Sequence, residues 1–138
     1  MLSCLILSHG SVAEAYLEAS RKILGECKNL YTLACDNLSP KQLHDEITHL
    51  IDEENLRDGL FILVSLRGGS CWNVAAAISR EYDKVELLSG LNLSQVLCFA
   101  TKNTQYSFED FGEVLLQDGI RGVTRLSSPS ENQQEGDQ

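Results

Sequence analysis

Basic charge is scarce in this chain: 11 Lys and Arg stand against 20 Asp and Glu in 138 residues, a formal net charge of -9. The deficit argues against nucleic acid and anionic membrane surfaces as partners, because both are bound through a basic footprint. A basic protein partner fits the charge better. Long apolar runs are also missing, none approaching the roughly 18 residues that cross a bilayer, so no direct membrane insertion is expected. The start of the chain has no basic n-region, and Ser8-His9-Gly10 breaks its apolar stretch, so it does not read as a signal peptide and a cytoplasmic location is expected. The five cysteines, Cys4, Cys27, Cys35, Cys71 and Cys98, are scattered and odd in number, with no C-x-x-C pair. In a cytoplasmic protein that pattern reads as reduced thiols, mostly in the core, rather than as a disulfide framework. His44 and His49 lie five apart on an expected helix, about 140° out of line at 3.6 residues per turn, so they do not share an ion. Neither a metal site nor a cofactor is expected.

What the chain does contain is a regular alternation of strand and helix patterns, in a length and a 43% hydrophobic composition sufficient for one core. Leu2 to Leu7 reads as a buried strand. Val12, Tyr16, Ala19 and Ile23 then recur at helical spacing, with Ser11 as a candidate cap and Gly25 as the stop. Leu30 to Ala34 is a second strand. Ser39-Pro40-Lys41-Gln42 is a near-complete capping box, opening a helix that buries Leu43, Ile47, Leu50 and Ile51. Leu60 to Val64, the most continuous apolar run, has the pattern of a central strand covered on both faces.

An alanine-rich helix is expected over Trp72 to Tyr82 and a fourth strand over Lys84 to Ser89. Short helices follow from about Ser94 to Ala100 and from Phe108 to Leu116, the second capped by Ser107 and ended by Gly119. Ile120 to Leu126 reads as a short edge strand guarded by Arg121 and Arg125. The expected fold is α/β: an open, mostly parallel sheet of four strands flanked by helices, with this short fifth strand near the C-terminus. Residues 1–126 form one domain, and residues 127–138, without an apolar side chain, are expected to be a disordered acidic tail.

In such a sheet His9 sits at the carboxyl end of the first strand, where open parallel sheets place their sites. By position alone it is more often an ordinary polar loop residue. The Ser65–Ser70 and Gly90–Leu93 loops reach the same rim. Gly68-Gly69-Ser70 leads into a helix, so glycine backbone, free N–H groups, the helix dipole and a hydroxyl can together hold a phosphoryl group. Taken alone, Gly-Gly-Ser is more often only a tight turn.

Three stretches, LILSHGSVAEAYLEASRKILGE, GLFILVSLRGGSCWNVAAA and VELLSGLNL, occur in an order and spacing that resemble the mannose/fructose-family enzyme IIA domains of the bacterial phosphoenolpyruvate:sugar phosphotransferase system. The resemblance covers about residues 2–100, with an extension to 126 left open. It implies a dimeric phosphocarrier whose histidine, here His9, accepts phosphate from the histidine-containing phosphocarrier protein and passes it to a IIB domain in sugar uptake. It implies also that Gly68, Gly69 and Ser70 surround the phosphate and that Gly10 and Asn92 belong to supporting loops.

The family pattern D-L-F-G-G-S-P-F-N is here Ser65 to Asn73, so Ser65 replaces the aspartate that orients the active histidine. Arg67 replaces an aromatic or apolar residue and either pairs with phosphate oxygens or points to solvent. Cys71 replaces a proline at the head of the third helix, where a lowered thiol pKa or plain burial are both open. Two readings follow: a phosphocarrier acting through His9 and Ser65, with Arg67, Gly68, Gly69 and Ser70 on the phosphate, or a regulatory IIA-like module with weakened transfer. A phosphoryl-donor subunit of a dihydroxyacetone kinase matches less well.

Overall fold

Two hexapeptide-scale apolar runs dictate the centre of the molecule. In the computed structural model, which describes residues 1–129, β1 (Ser3–Ser8) and β3 (Leu60–Val64) are buried at every position. A strand apolar on both faces must be covered on both, and it must have neighbours on both edges. The sheet order is β2-β1-β3-β4, all parallel, with β2 spanning Leu30–Ala34 and β4 spanning Val85–Leu88. The outer strands are only partly buried, as their mixed sequences LYTLA and VELL require.

Helices cover each face. α2 (Pro40–Glu54) and α3 (Ser70–Glu81) pack on one side, where Ile47, Ile51, Ala75 and Ile78 meet Leu5, Leu7, Leu60 and Ile62. α1 (Val12–Leu24), α4 (Leu93–Lys102) and α5 (Phe108–Arg121) cover the other, where Ala13, Val96, Phe99, Phe111 and Leu115 meet Cys4, Ile6, Phe61 and Leu63. Successive residues of β1 and β3 thus serve opposite cores, the period-two rule applied to a strand with no solvent face.

Local chemistry sets most helix ends where expected. Ser39 Oγ accepts from Gln42 N–H while the Gln42 side chain accepts from Ser39 N–H, a complete capping box with Pro40 at the first helical position. Gly25, at φ 87°, closes α1, and the Ser107 hydroxyl accepts from Asp110 N–H at the head of α5. Ser11 occupies the N-cap of α1 but makes no side-chain cap bond.

The C-terminal part differs from expectation. α5 does not stop at Leu116 but continues through Gly119 to Arg121. Gly112 and Gly119 lie on its buried face, and a Cβ on them would strike the Glu86 carboxylate and the Gln95 amide respectively. These glycines permit close packing of α5 rather than terminating it. The stretch read as a fifth strand therefore gives Ile120 and Arg121 to the last helical turn, and residues 123–127 join no strand. Of the expected tail, residues 130–138 lie outside the described residues. Among the described residues no helix is long and apolar enough to cross a membrane.

Candidate functional site at the carboxyl ends of the strands

The site begins where β1 runs out. His9 is exposed, and Gly10 turns the chain with φ 59°, in the left-handed region that glycine tolerates. The turn is held from the β2 side. Cys35 N–H donates to the Ser8 carbonyl at 2.9 Å, and Gly10 N–H donates to Asp36 Oδ2 at 2.5 Å. From the other side, β3 ends at Val64, whose carbonyl accepts from Leu91 N–H at 3.1 Å, drawing the β4–α4 loop across the strand end. Asn92 fixes that loop. Its side-chain oxygen caps α4 by accepting from Gln95 N–H at 2.9 Å, and its amide donates to the carbonyls of Gly119 at 3.1 Å and Gly90 at 3.3 Å.

Between these ends lies a cavity of about 40 Å³ lined by Leu7, Ser8, His9, Ser65, Leu66, Gly69 and Cys71. That is room for about one water or a small group. Gly68, at φ 89°, makes the bend, and Gly69 is the N-cap of α3, so the first N–H groups of the helix open toward this rim. A Cβ on Gly68 or Gly69 would meet nothing within 4 Å, so the approach from solvent is open. Ser70 is exposed at the head of α3. The fold thus brings His9, Ser65 and Gly69 to one cavity, with Gly10, Gly68 and Ser70 on its margin. Arg67 lines a separate, larger cleft with Trp72, Glu86 and Leu116.

Two residues of the site escape a reading of motifs. Asp36 supplies a carboxylate that anchors the His9-Gly10 turn, although none is present at position 65. Cys35 is bonded to Cys71, with Cα atoms 6.9 Å apart, which corrects the expectation that all five cysteines are thiols; Cys4, Cys27 and Cys98 are free. The register explains both. Ser8 is the partner of Ala34 in the β1–β2 ladder, so the next residues on each strand, His9 with Cys35 and Gly10 with Asp36, leave the sheet side by side. Among the described residues, a ring nitrogen of His9 and the two sulfurs lie within 4.8 Å of one another.

The sequence pattern described as "PTS system fructose IIA component", of the EIIA-man family, matches residues 3–115. The chain belongs to this family. As an enzyme IIA component of the phosphotransferase system, it is 22% identical over 129 residues to the PTS system mannose-specific EIIAB component of Escherichia coli (strain K12), covering 92% of this chain and 40% of that protein. It therefore spans about 40% of the length of the curated relatives it matches. The enzyme IIA fold is shared with the mannose/sorbose specific IIA subunit of Enterococcus faecalis, at TM-score 0.84 and 22% identity over 94% of this chain and 97% of that one. It is shared also with the phosphotransferase component EIIA of Streptococcus agalactiae, at TM-score 0.81 and 24% identity, covering 91% and 97% of the two chains.

Proposed function

We propose that this enzyme IIA component is a cytoplasmic phosphocarrier in which His9 takes a phosphoryl group from the histidine-containing phosphocarrier protein and delivers it to a IIB component during sugar uptake. The observation that carries the reading is the position of His9: exposed at the end of the central strand, on a cavity shared with Ser65 and Gly69, facing the open N-terminus of α3. A neutral imidazole offers a nitrogen lone pair near pH 7. As the P–N bond to the donor histidine breaks, a new P–N bond forms to His9. Such transfer needs positioning and stabilisation of oxygen charge more than covalent help. The N–H groups at the head of α3 and the Ser70 hydroxyl would bear the phosphoryl oxygens, and Arg67 would add charge from the adjoining cleft. Residues 1–126 would act as the carrier domain, as a homodimer.

Incubation with phosphoenolpyruvate, enzyme I and the phosphocarrier protein should give one acid-labile, base-stable phosphate per chain. Its absence from the wild-type protein, or its persistence in His9→Ala, would refute the assignment. A second reading, a regulatory module with weak transfer, is favoured by Ser65, which carries no charge where the family pattern has a carboxylate. Under the first reading Ser65→Asp raises the phosphorylation rate. An unchanged rate assigns the orienting task to another group.

A further inference from the structure

We propose that His9, Cys35 and Cys71, with the two cysteines as thiolates, form a binding site for one zinc ion that keeps one coordination position open. The disulfide form of this cluster brings both sulfurs and a His9 ring nitrogen within 4.8 Å of one another. A zinc centre with Zn–S of about 2.3 Å and Zn–N of about 2.0 Å sets its ligand atoms roughly 3.5–3.8 Å apart, within reach of side-chain rotation. The Cα separation of 6.9 Å leaves room for the sulfurs to part to that distance. The ligands come from two strand ends and a helix head, each held by the backbone: Cys35 N–H on the Ser8 carbonyl, Gly10 N–H on Asp36, and Cys71 in the first turn of α3.

Chemistry selects the ion. Two thiolates and an imidazole prefer zinc over magnesium or calcium, whose ligands are oxygens. Two negative sulfurs and a doubly positive ion make a neutral centre, which suits sulfurs that belong to buried residues. The fourth position opens onto the 40 Å³ cavity that His9, Ser65 and Cys71 line, which has room for about one water. A water on the metal would occupy it. The steps balance: a dithiol reductant opens the Cys35–Cys71 bond by exchange, giving two thiols and the oxidised reductant. Zn²⁺ then displaces the two thiol protons.

Site occupancy and phosphorylation would compete for His9, but metal binding does not rest on phosphoryl transfer. The test contains no phosphate donor, so its failure leaves the phosphocarrier reading untouched. The whole chain, reduced without oxygen and freed of reductant, is titrated with Zn²⁺ against a chromophoric chelator and with Co²⁺ as a spectroscopic probe. One equivalent should bind, with sulfur-to-cobalt charge-transfer absorption. Cys35→Ser and Cys71→Ser should weaken binding at least 100-fold, and His9→Gln at least 10-fold. The oxidised wild-type chain, which needs no variant to fold, should lack the site. No tight equivalent, no thiolate absorption, or equal binding by the oxidised chain would overturn the proposal.

Discussion

Replacing Asn92 by alanine removes three hydrogen bonds that tie the site rim to the helical layer. The side-chain oxygen caps α4 through Gln95 N–H at 2.9 Å, and loss of such a cap costs about 1 kcal/mol. The amide bonds to Gly119 and Gly90 carry less than two full hydrogen bonds. The Gly119 carbonyl keeps a second donor in Gly122 N–H at 3.2 Å, and Gly90 is exposed, so water replaces the lost partner. Together they add about 1 kcal/mol. The expected total is about 2 kcal/mol, a fall in Tm of roughly 7 °C for a domain of this size. Asn92→Ser separates the parts: it keeps an acceptor for Gln95 N–H and loses both donors, so about half the effect should remain. Urea and thermal unfolding at pH 7 measure both. A loss below about 0.5 kcal/mol in Asn92→Ala, or an equal loss in the two variants, would refute the division between cap and tether.

Three further outcomes follow from groups around this layer. The Asp118 carboxyl is held down to about 2 by hydrogen bonds from the Cys98 thiol, Lys102 and Arg121. The unfolded chain binds more protons in that window, so stability is present above the ordinary value of 3.8 and lost as pH falls toward 2. Asp118→Asn should cost about 1 kcal/mol at pH 7, discounted for the solvent around Lys102, and only a small fraction of that at pH 2; unfolding free energies at the two pH values decide it. Glu86 behaves oppositely: partial burial, and secondarily Glu113, raise its carboxyl above 4.5. Its contribution is present below 4.5 and lost as pH rises through the raised value, so Glu86→Gln should stabilise at pH 7 and change nothing near pH 4, read from denaturant midpoints. Gly68→Ala meets no neighbour but forces φ 89° on a Cβ, so about 1–2 kcal/mol of strain should appear as a lower Tm; an unchanged Tm would show that the loop rearranges.

The two central strands were legible because LFILV and the CLIL of β1 are apolar at consecutive positions, as doubly covered strands require. The capping box at Ser39 and the stop at Gly25 were legible because they depend on neighbours within one helical turn. The glycines of α5 misled for the opposite reason: whether Gly119 ends a helix or admits Gln95 depends on a helix more than twenty residues away in sequence. His9, Gly68 and Gly69 stand in local motifs and could be read. Cys35 and Asp36 do not, since no local motif reveals the β1–β2 register that sets them beside His9 and Gly10. The chemistry that distinguishes this site from its family pattern thus enters through pairing.

The parallel order β2-β1-β3-β4 also constrains how the protein is made. Leu5 finds its β3 partner in Ile62, about 57 residues later in synthesis. At 5–20 residues per second, β1 waits roughly 3–11 seconds before that edge can close, with only β2 to pair with meanwhile. During translation the strand leading into His9 therefore keeps one edge unpaired, the condition under which strands pair with other chains. The segment that later carries the site thus waits for β3 before both its edges are closed.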